Sequence, residues 1–464
     1  MKLFKRSLAL LICLSMVLVM FTGCGKDDGG EQPSSPNTPD VEQPAGDEGA
    51  KDAPKELSGE LTYWHFNADE GPVLARAFEK AHPGVTVKDE ITADTDGNYQ
   101  TKVQAASRSG DLPDVYAAEN AFVKRFVNMP GGYAPMNFDD VSEVTKKIVP
   151  FVAGIGTNNN GELVALSHQA AAGAIAYKRP IASQYLGTDD PAVIGDMLKA
   201  ENMLETARKL KEASNGKAIL WVGYEELMKI YIGSREKGWI VDGKFYIDDR
   251  MYEFVELATA LRKEGLEGGL PQWQEAWANS IQDDVHMCYA VPTWGVNWII
   301  DCRESADVMV MTNDDHPEPG TGGRWAITTP IPYYEGGTWF GISQNAKNPE
   351  LAWEFIKFIT GNEEFQESLA QGGDFVSNVD IIEKYKADDS FINKVVNQNI
   401  YQVYGEVYDK IDGTIITQYD DTIKMALIDA MNAYLAGEIS EDEMWAQFKE
   451  RLQSELQGEN IIFE

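Results

Sequence analysis

The sequence predicts an α/β fold built around a largely parallel sheet. From Gly59 onward, short apolar runs alternate with helical patterns, which is typical of α/β proteins. The first five segments follow the order strand, helix, strand, helix, strand, and the 464 residues suffice for two or three domains. In such a fold, ligand sites are expected beyond the carboxyl ends of the strands.

The first part of this region contains three predicted strands and two predicted helices. Strands are expected at GELTYWHFN (59–67), VTVKDEI (85–91) and LPDVYAAE (112–119), and helices at GPVLARAFEKAHPG (71–84) and YQTKVQAASRSG (99–110). In the first helix the apolar residues share one face, and Pro83 with Gly84 ends it. DTDGN (94–98) has no glutamate at the spacing of a calcium loop and is predicted to be a plain turn.

Three amphipathic helices are predicted in the last third of the chain. They cover NPELAWEFIKFITG (348–361), DTIKMALIDAMNAYLAG (421–437) and SEDEMWAQFKERLQSELQG (440–458). Asn348 is expected to be an N-cap, and Gly361 is expected to follow the last turn. Ser440 and Glu443 have the spacing of a capping box.

The amino terminus predicts export. A basic stretch, MKLFKRS, precedes an apolar core that ends in TGC, and this ending resembles the lipobox of bacterial lipoproteins, with Phe21 where leucine is usual. We therefore expect a signal peptide at 1–23 and lipidation of Cys24; an ordinary secretory signal or an uncleaved anchor is the alternative. Residues 24–58 are rich in Gly, Pro, Ser, Asp and Glu, which predicts a flexible tether.

Charge excludes nucleic-acid binding, and the cysteine and histidine pattern predicts no metal site. The formal net charge of −34 repels nucleic acid. No CxxC pair or His/Cys cluster predicts a metal site, and no cofactor is expected. Cys288 and Cys302 form either one disulfide or two buried thiols, and their spacing does not decide between the two.

Four stretches, in order, resemble the extracellular solute-binding proteins of bacterial ABC importers, the family that includes maltose-binding protein. They are LTYWHFN, RSGDLPDVYAAEN (108–120), GELVALSHQAAAGAIAYKR (161–179) and GGTWFGISQNAKNPELAWEFIKFITG (336–361). The resemblance spans about residues 59 to 458. The sequence departs from the family at LSHQ (166–169), where a Pro-Tyr-Asp-like stretch is usual.

The resemblance implies a two-lobed periplasmic-binding-protein fold of the type II kind, with a ligand cleft between the lobes. Lobe 1 would comprise 59–167 and 329–372, and lobe 2 would comprise 168–328 and 373–464. It further implies a monomeric, non-enzymatic protein, lipid-anchored on the extracellular face of the cell membrane. Such a protein captures a carbohydrate, here an oligosaccharide, and delivers it to the permease subunits of the ABC transporter.

Sugars present apolar C–H faces and a rim of hydroxyls, so their sites combine aromatic rings with planar polar side chains. The candidate ligand residues lie where the family places ligand loops: Trp64, His65, Asn67, Asp69, Glu119, Asn120, Gln169, Trp221, Tyr224, Trp294, Trp339 and Asp374. Each tryptophan has a core alternative, Asp69 and Glu119 a helix-capping one, and His65 a structural one. Trp273, Trp353 and Trp445 are assigned to the core or surface.

The turn AVPTWGVNW (290–298) follows the predicted strand VHMCY (285–289), and it contains Trp294 between Pro292 and Gly295. We expect this turn to present the Trp294 indole to the cleft. Replacing Trp294 with alanine should then weaken binding by about 1 kcal/mol or more with little change in melting temperature.

Other ligands and functions remain alternatives. A polyamine suits acidic and aromatic loops through cation–π contacts. A glycerol phosphodiester or a metal chelate is also a possible solute, although a phosphate ligand favours Arg or Lys in the loops. A surface glycosidase needs paired carboxylates, and the pairs Asp248–Asp249 and Asp283–Asp284 are sequence neighbours, which usually point apart. A sensor role is not distinguishable from transport at this level.

Overall fold

The structure is a computed structural model that describes residues 56–301 and 323–463. These residues contain two main β-sheets. The predicted signal peptide, Cys24, the tether up to residue 55 and Cys302 lie outside the described residues. Cys288 lies within them, is buried, and has no disulfide partner among the described residues. Among the described helices, none combines the length and the apolar character that a membrane span requires.

The strands are numbered along the chain. They are β1 Ser58–His65, β2 Gly84–Ile91, β3 Val115–Glu119, β4 Ala165–Ser167, β5 Gly173–Lys178, β6 Ile219–Trp221, β7 Ile240–Val241, β8 Lys244–Phe245, β9 His286–Pro292, β10 Trp325–Thr328 and β11 Thr338–Ile342. The lobe 1 sheet has the order β2-β1-β3-β11-β4, and the lobe 2 sheet has the order β10-β5-β9-β6. β7 and β8 form a separate hairpin.

The helices are numbered in the same way. They are α1 Gly71–Ala81, α2 Asn98–Ser109, α3 Val123–Val127, α4 Val141–Thr145, α5 Pro150–Ile155, α6 Arg179–Ile181, α7 Pro191–Met197, α8 Ala200–Ala213, α9 Tyr224–Gly233, α10 Asp249–Glu264, α11 Glu275–Ser280, α12 Pro349–Gly361, α13 Glu363–Gln371, α14 Val379–Lys386, α15 Ile400–Tyr404, α16 Asp420–Leu435 and α17 Glu441–Glu455. A π-helical turn, Val296–Asp301, follows β9.

The predicted elements β1, α1, β2, α2 and β3 are confirmed. The capping box of Ser440 and Glu443 and the Asn348 cap of α12 are also present. The prediction that Gly361 follows the last turn of α12 is wrong. Gly361 is the last helical residue, because Asn362 follows at once as the N-cap of α13 and its side chain accepts from the amide of Phe365.

The sheets are mixed rather than largely parallel. β1 pairs in parallel with β2 and β3, whereas β11 pairs antiparallel with both β3 and β4. β5 is antiparallel to both of its neighbours. The antiparallel strand β11 arises because the chain re-enters the lobe 1 sheet from lobe 2. Local periodicity does not reveal such a return.

Three crossing segments lie side by side between the sheets. The first is 168–172, the second is 329–337 and the third is 372–378. Gln169 bridges to Val376 in the third crossing, and Ala172 bridges to Tyr334 in the second. The exact lobe boundaries remain a prediction, since buried residues of 375–411 pack with the lobe 1 core.

Candidate ligand-binding cleft

A cavity of about 460 Å³ lies where the β3–α3 loop of lobe 1 faces α9, the loop 271–274 and the amino-terminal end of α16. We call it the cleft cavity. Its walls include Asn120, Lys124, Arg125, Glu225, Lys229, Arg235, Gln272, Trp273, Tyr334, Glu335, Gln418, Asp420 and Lys424. Lobe 1, lobe 2 and the second crossing all contribute, so a molecule held there contacts both lobes.

Trp273 lines the cleft cavity and keeps its indole exposed. It is 54% exposed, whereas most tryptophans of the described residues are buried or half-buried. Its backbone has a φ of +69°, in the left-handed region that a bulky residue rarely adopts. Such strain is concentrated at ligand-binding positions, where the surrounding structure holds an unfavourable conformation in place.

Two further tryptophans support Trp273. The ring of Trp294 lies 6.3 Å away with planes 13° apart, and the buried ring of Trp277 lies 5.1 Å away. The Nε1–H of Trp294 donates to the backbone carbonyl of Glu335 at 2.9 Å. Trp277 Nε1–H donates to Oε1 of the buried Glu226 at 2.7 Å. The two inner indoles are therefore fixed, and Trp273 packs on a rigid base.

Positive and negative side chains are equal in number in the cavity wall, although the whole chain has a formal net charge of −34. The lining cations are Lys124, Arg125, Lys229, Arg235 and Lys424, and the lining anions are Glu225, Glu335, Asp412, Asp420 and Asp421. Three ion pairs join members of these sets: Lys229–Glu335 at 2.7 Å, Arg235–Asp420 at 2.8 Å and Lys424–Asp421 at 3.0 Å. The cavity therefore carries no excess charge of either sign.

Besides the ion-paired ammonium of Lys229, four residues of the wall keep a buried polar atom that has no hydrogen-bond partner among the described residues. The atoms are Asn120 Oδ1, Arg235 Nη1, Gln272 Nε2 and Glu335 Oε2. Two of them are donors and two are acceptors. An unpartnered buried polar group costs about 1–3 kcal/mol, so the wall favours a molecule that both donates and accepts.

Burial shifts the protonation of groups at the lobe 1 rim. It raises the pKa of Glu119, which precedes Asn120 at the end of β3, to about 7. It lowers the pKa of Lys124 to about 8. The ammonium of Lys124 donates to the carbonyls of Gly154 and Thr157, so this cation is tied into lobe 1.

Residues 74–391 match the family model described as "Bacterial extracellular solute-binding protein". This match covers more than half of the chain. The chain belongs to this family.

Solved structures of solute-binding proteins have the same fold. The first is a crystal structure of an extracellular solute-binding protein of family 1, with 17% identity, a TM-score of 0.73, and coverage of 85% of this chain and 99% of that one. The second is an ABC transporter binding protein of B. animalis subsp. lactis Bl-04 with β-1,6-galactobiose, at 15% identity, TM-score 0.65, and 88% and 100% coverage. The third is the galacto-N-biose/lacto-N-biose I-binding protein of Bifidobacterium longum, at 13% identity, TM-score 0.66, and 88% and 99% coverage.

Within this solute-binding protein, several candidate residues lie at the carboxyl edge of the lobe 1 sheet. Asn120 lines the cleft cavity, and Glu119 directly precedes Asn120 in the sequence. The Asn67 side chain accepts from the amides of Asp69 and Glu70, so Asn67 shapes the β1–α1 loop, and Asp69 is exposed. The half-buried Trp64 carries the Lys102 ammonium over its ring at 3.9 Å.

His65 belongs to a buried polar cluster beside the crossings. His65 Nε2 and His168 Nε2 lie 3.3 Å and 3.1 Å from the two carboxylate oxygens of Glu70. Burial raises the pKa of Glu70, but the hydrogen bonds from the two histidines outweigh it and leave the pKa well below its usual range. Asp374 lies near this cluster, and burial raises its pKa to about 6. Gln169 follows His168 on the first crossing.

Three candidate aromatic residues are placed in the core instead of the cleft cavity. Trp221 is fully buried in the lobe 2 core, and Trp339 is buried in the lobe 1 core with its Nε1–H donating to the carbonyl of Val152. Tyr224 is buried and its hydroxyl donates to Asn432. These rings have no free face for a ligand, because the core packing of the two lobes buries them.

Trp294 also differs from expectation. It does not line the cleft cavity; its indole supports Trp273 from behind. Trp273, which the sequence assigns to the core or surface, is exposed and forms part of the cavity wall. The signal in the sequence is the segment PQWQ (271–274), in which a tryptophan stands between two glutamines after a proline, and no apolar periodicity buries it.

Proposed function

We propose that this solute-binding protein captures a neutral oligosaccharide in the cleft cavity and delivers it to an ABC permease. The observation that carries the proposal is the union, in one cavity, of an exposed and rigidly backed Trp273 with a charge-balanced set of donors and acceptors. An indole offers a flat apolar surface to the C–H face of a sugar ring. Hydroxyl groups both donate and accept, as the unpartnered wall atoms require.

The charge balance argues against the competing solutes. A polyamine needs an excess of carboxylates, and the wall anions are matched in number by cations. A phosphodiester needs Arg or Lys free of carboxylates, whereas three of the five wall cations, Lys229, Arg235 and Lys424, each pair with a carboxylate. Lys124 instead donates to two backbone carbonyls and Arg125 donates to Gln100. The similar proteins from B. animalis and B. longum are described with galactobiose and lacto-N-biose, which are neutral disaccharides.

Anchoring and delivery are the finer parts of the proposal. Lipid attachment at Cys24, followed by the polar segment up to residue 58, would hold the binding protein at the extracellular face of the cell membrane while leaving it free to reach the permease. Capture and release would follow from closure of the lobes about the three crossings, because a ligand stabilises the form in which both lobes contact it.

A thermal-shift screen of residues 58–464 tests the solute class. The panel contains neutral oligosaccharides, polyamines and glycerol phosphodiesters, each at a concentration far above the expected Kd. A ligand that binds only the folded state raises the melting temperature, and about 2.7 kcal/mol of stabilisation is expected at a hundredfold excess over Kd. A shift with glycans that is absent in Trp273→Ala supports the proposal. A shift with polyamines alone, or cleavage of the glycans, overturns it.

A further inference from the structure

A second cavity, of about 630 Å³, adjoins the cleft cavity. We call it the outer cavity. On one side its wall comes from α2 and the segment that follows α3, in lobe 1; on the other it comes from the start of α16 and the end of α17. Arg125 and Gln418 line both cavities, so these two side chains stand at the boundary between them. A molecule that occupies both cavities would therefore have to pass between Arg125 and Gln418.

The hydrogen bonds of Arg125 and Gln418 at the boundary still allow these side chains to move. Arg125 donates to Gln100 Oε1 at 3.0 Å, which keeps the guanidinium within lobe 1. Gln418 receives a long contact of 3.4 Å from the Asn159 amide, also of lobe 1. This contact is at the limit of hydrogen-bond length, so a ligand hydroxyl can replace it at little cost.

The outer cavity repeats the chemistry of the cleft cavity. It has one aromatic residue, Tyr419, whose hydroxyl accepts from Gln418 Nε2 at 2.9 Å and donates to Glu459 Oε2 at 2.8 Å. These two bonds fix the orientation of the ring before any ligand arrives. The cations Arg108 and Arg125 are matched in number by the anions Glu455 and Glu459, so this wall also favours a neutral ligand.

We propose that the outer cavity is an extension subsite, in which a glycan bound in the cleft cavity continues and packs on Tyr419. The inference rests on the proposed function and adds to it a substrate class: linear oligosaccharides longer than the cleft cavity alone can hold. A single cavity of 300–1,000 Å³ is the usual volume for a small ligand, and here two such volumes share a boundary.

The test is calorimetric titration with gluco- and galacto-oligosaccharides, from the monosaccharide to the hexasaccharide, against three proteins. The first is the unmodified protein. The second is Thr422→Trp, which places an indole in the outer cavity from the half-buried first turn of α16. The third, the matched control, is Gln447→Trp, which places the same side chain on the exposed face of α17 outside both cavities.

In the unmodified protein and in Gln447→Trp, affinity should rise about tenfold or more from the short to the long members of the series. In Thr422→Trp the long members should bind no better than the short ones, while the affinity for short members stays unchanged. Tyr419→Ala should reduce the affinity for long members, and Tyr419→Phe should reduce it less, because the ring is kept.

Binding of short glycans with no gain from length, or a Thr422→Trp protein that keeps the gain, overturns the extension subsite and leaves the proposed function standing. Failure of every glycan to bind to the folded, unmodified protein overturns both. Circular dichroism and the melting temperature of each ligand-free variant establish that it is folded before affinities are compared.

Discussion

The indole of Trp273 lies stacked against the indole of Trp294, with ring centroids 6.3 Å apart and planes 13° apart. Trp294 is in turn fixed by its hydrogen bond to the carbonyl of Glu335, on the second crossing between the lobes. Gly336 makes this possible, since a Cβ there would lie 2.2 Å from Trp294 Nε1. The exposed aromatic surface of the cleft cavity is thus connected through one residue to the segment about which the lobes would move.

Replacing Trp273 should separate binding from stability. Trp273→Ala and Trp273→Gly should each weaken glycan affinity by about tenfold or more, since both remove the stacking surface. Glycine adopts a φ of +69° without strain, whereas alanine does not, so the glycine variant should be more stable by about 1 kcal/mol. Calorimetric titration and urea denaturation measure the two quantities. Equal stability of the two variants would show that position 273 is unstrained.

Replacing Trp294 should affect both binding and stability. Trp294→Ala removes the support of Trp273 and leaves a void, so we expect weaker glycan binding and a loss of about 2–4 kcal/mol in unfolding free energy. This differs from the expectation from the sequence, which had the melting temperature unchanged. Trp445→Ala is the control: Trp445 is a half-buried tryptophan on α17 outside both cavities, and its loss should lower stability with affinity intact. Unchanged stability in Trp294→Ala would contradict its supporting role.

The Glu119 carboxyl should make stability depend on pH near neutrality. Its pKa is about 7 in the folded protein, against 4.5 for an ordinary glutamate, so the folded state binds the proton more tightly and loses stability as pH rises from about 4.5 to 7. Glu119→Gln removes this loss. The variant should match the parent near pH 4 and exceed it by roughly 1–3 kcal/mol at pH 8.

Urea denaturation at several pH values measures the difference. Glu256→Gln, at an exposed position on α10, is the matched control and should follow the parent at every pH. A Glu119→Gln profile parallel to that of the parent would show that the carboxyl is not held protonated.

Unlike Glu119, Glu70 should stabilise the folded protein near neutral pH and lose this effect in acid. The Nδ1 of His65 accepts from the amide of Asn67, so its Nε2 carries the proton that faces Glu70, and Thr338 Oγ1 also donates to Glu70 at 3.1 Å. The depressed pKa means that this contribution is present above about pH 4.5 and is lost as pH falls below it. Glu70→Gln should cost about 2–3 kcal/mol at pH 7. The gap to the parent, measured by urea denaturation, should narrow in acid; a constant gap would assign the cost to packing.

Lipid attachment predicts where the protein is found in cells. Cys24→Ser removes the acceptor thiol, so the protein should no longer partition with the membrane fraction and should lose incorporation of labelled fatty acid. Cys13→Ser, within the predicted signal peptide, is the matched control and should remain anchored. Membrane retention of Cys24→Ser would favour an uncleaved anchor helix.

Local pattern by itself determined the early α/β elements, the caps of Asn348 and Ser440, and the type of residue a ligand site would need. These features depend on neighbours a few positions apart, which periodicity and capping rules describe well. The order of motifs also indicated the family. In the same way, Asn120 was identified as a candidate because it follows a strand, and it lies in the cavity wall.

Tertiary structure decided which aromatic rings are open to solvent and which are enclosed. Trp221 and Trp339 lie where ligand loops are expected and Trp273 does not, yet the first two are buried in the cores and the third protrudes from a strained loop. Likewise, the pairing of Lys229 with Glu335 and of Arg235 with Asp420 joins positions more than a hundred residues apart. Burial and charge balance depend on such long-range packing, which a one-dimensional pattern does not contain.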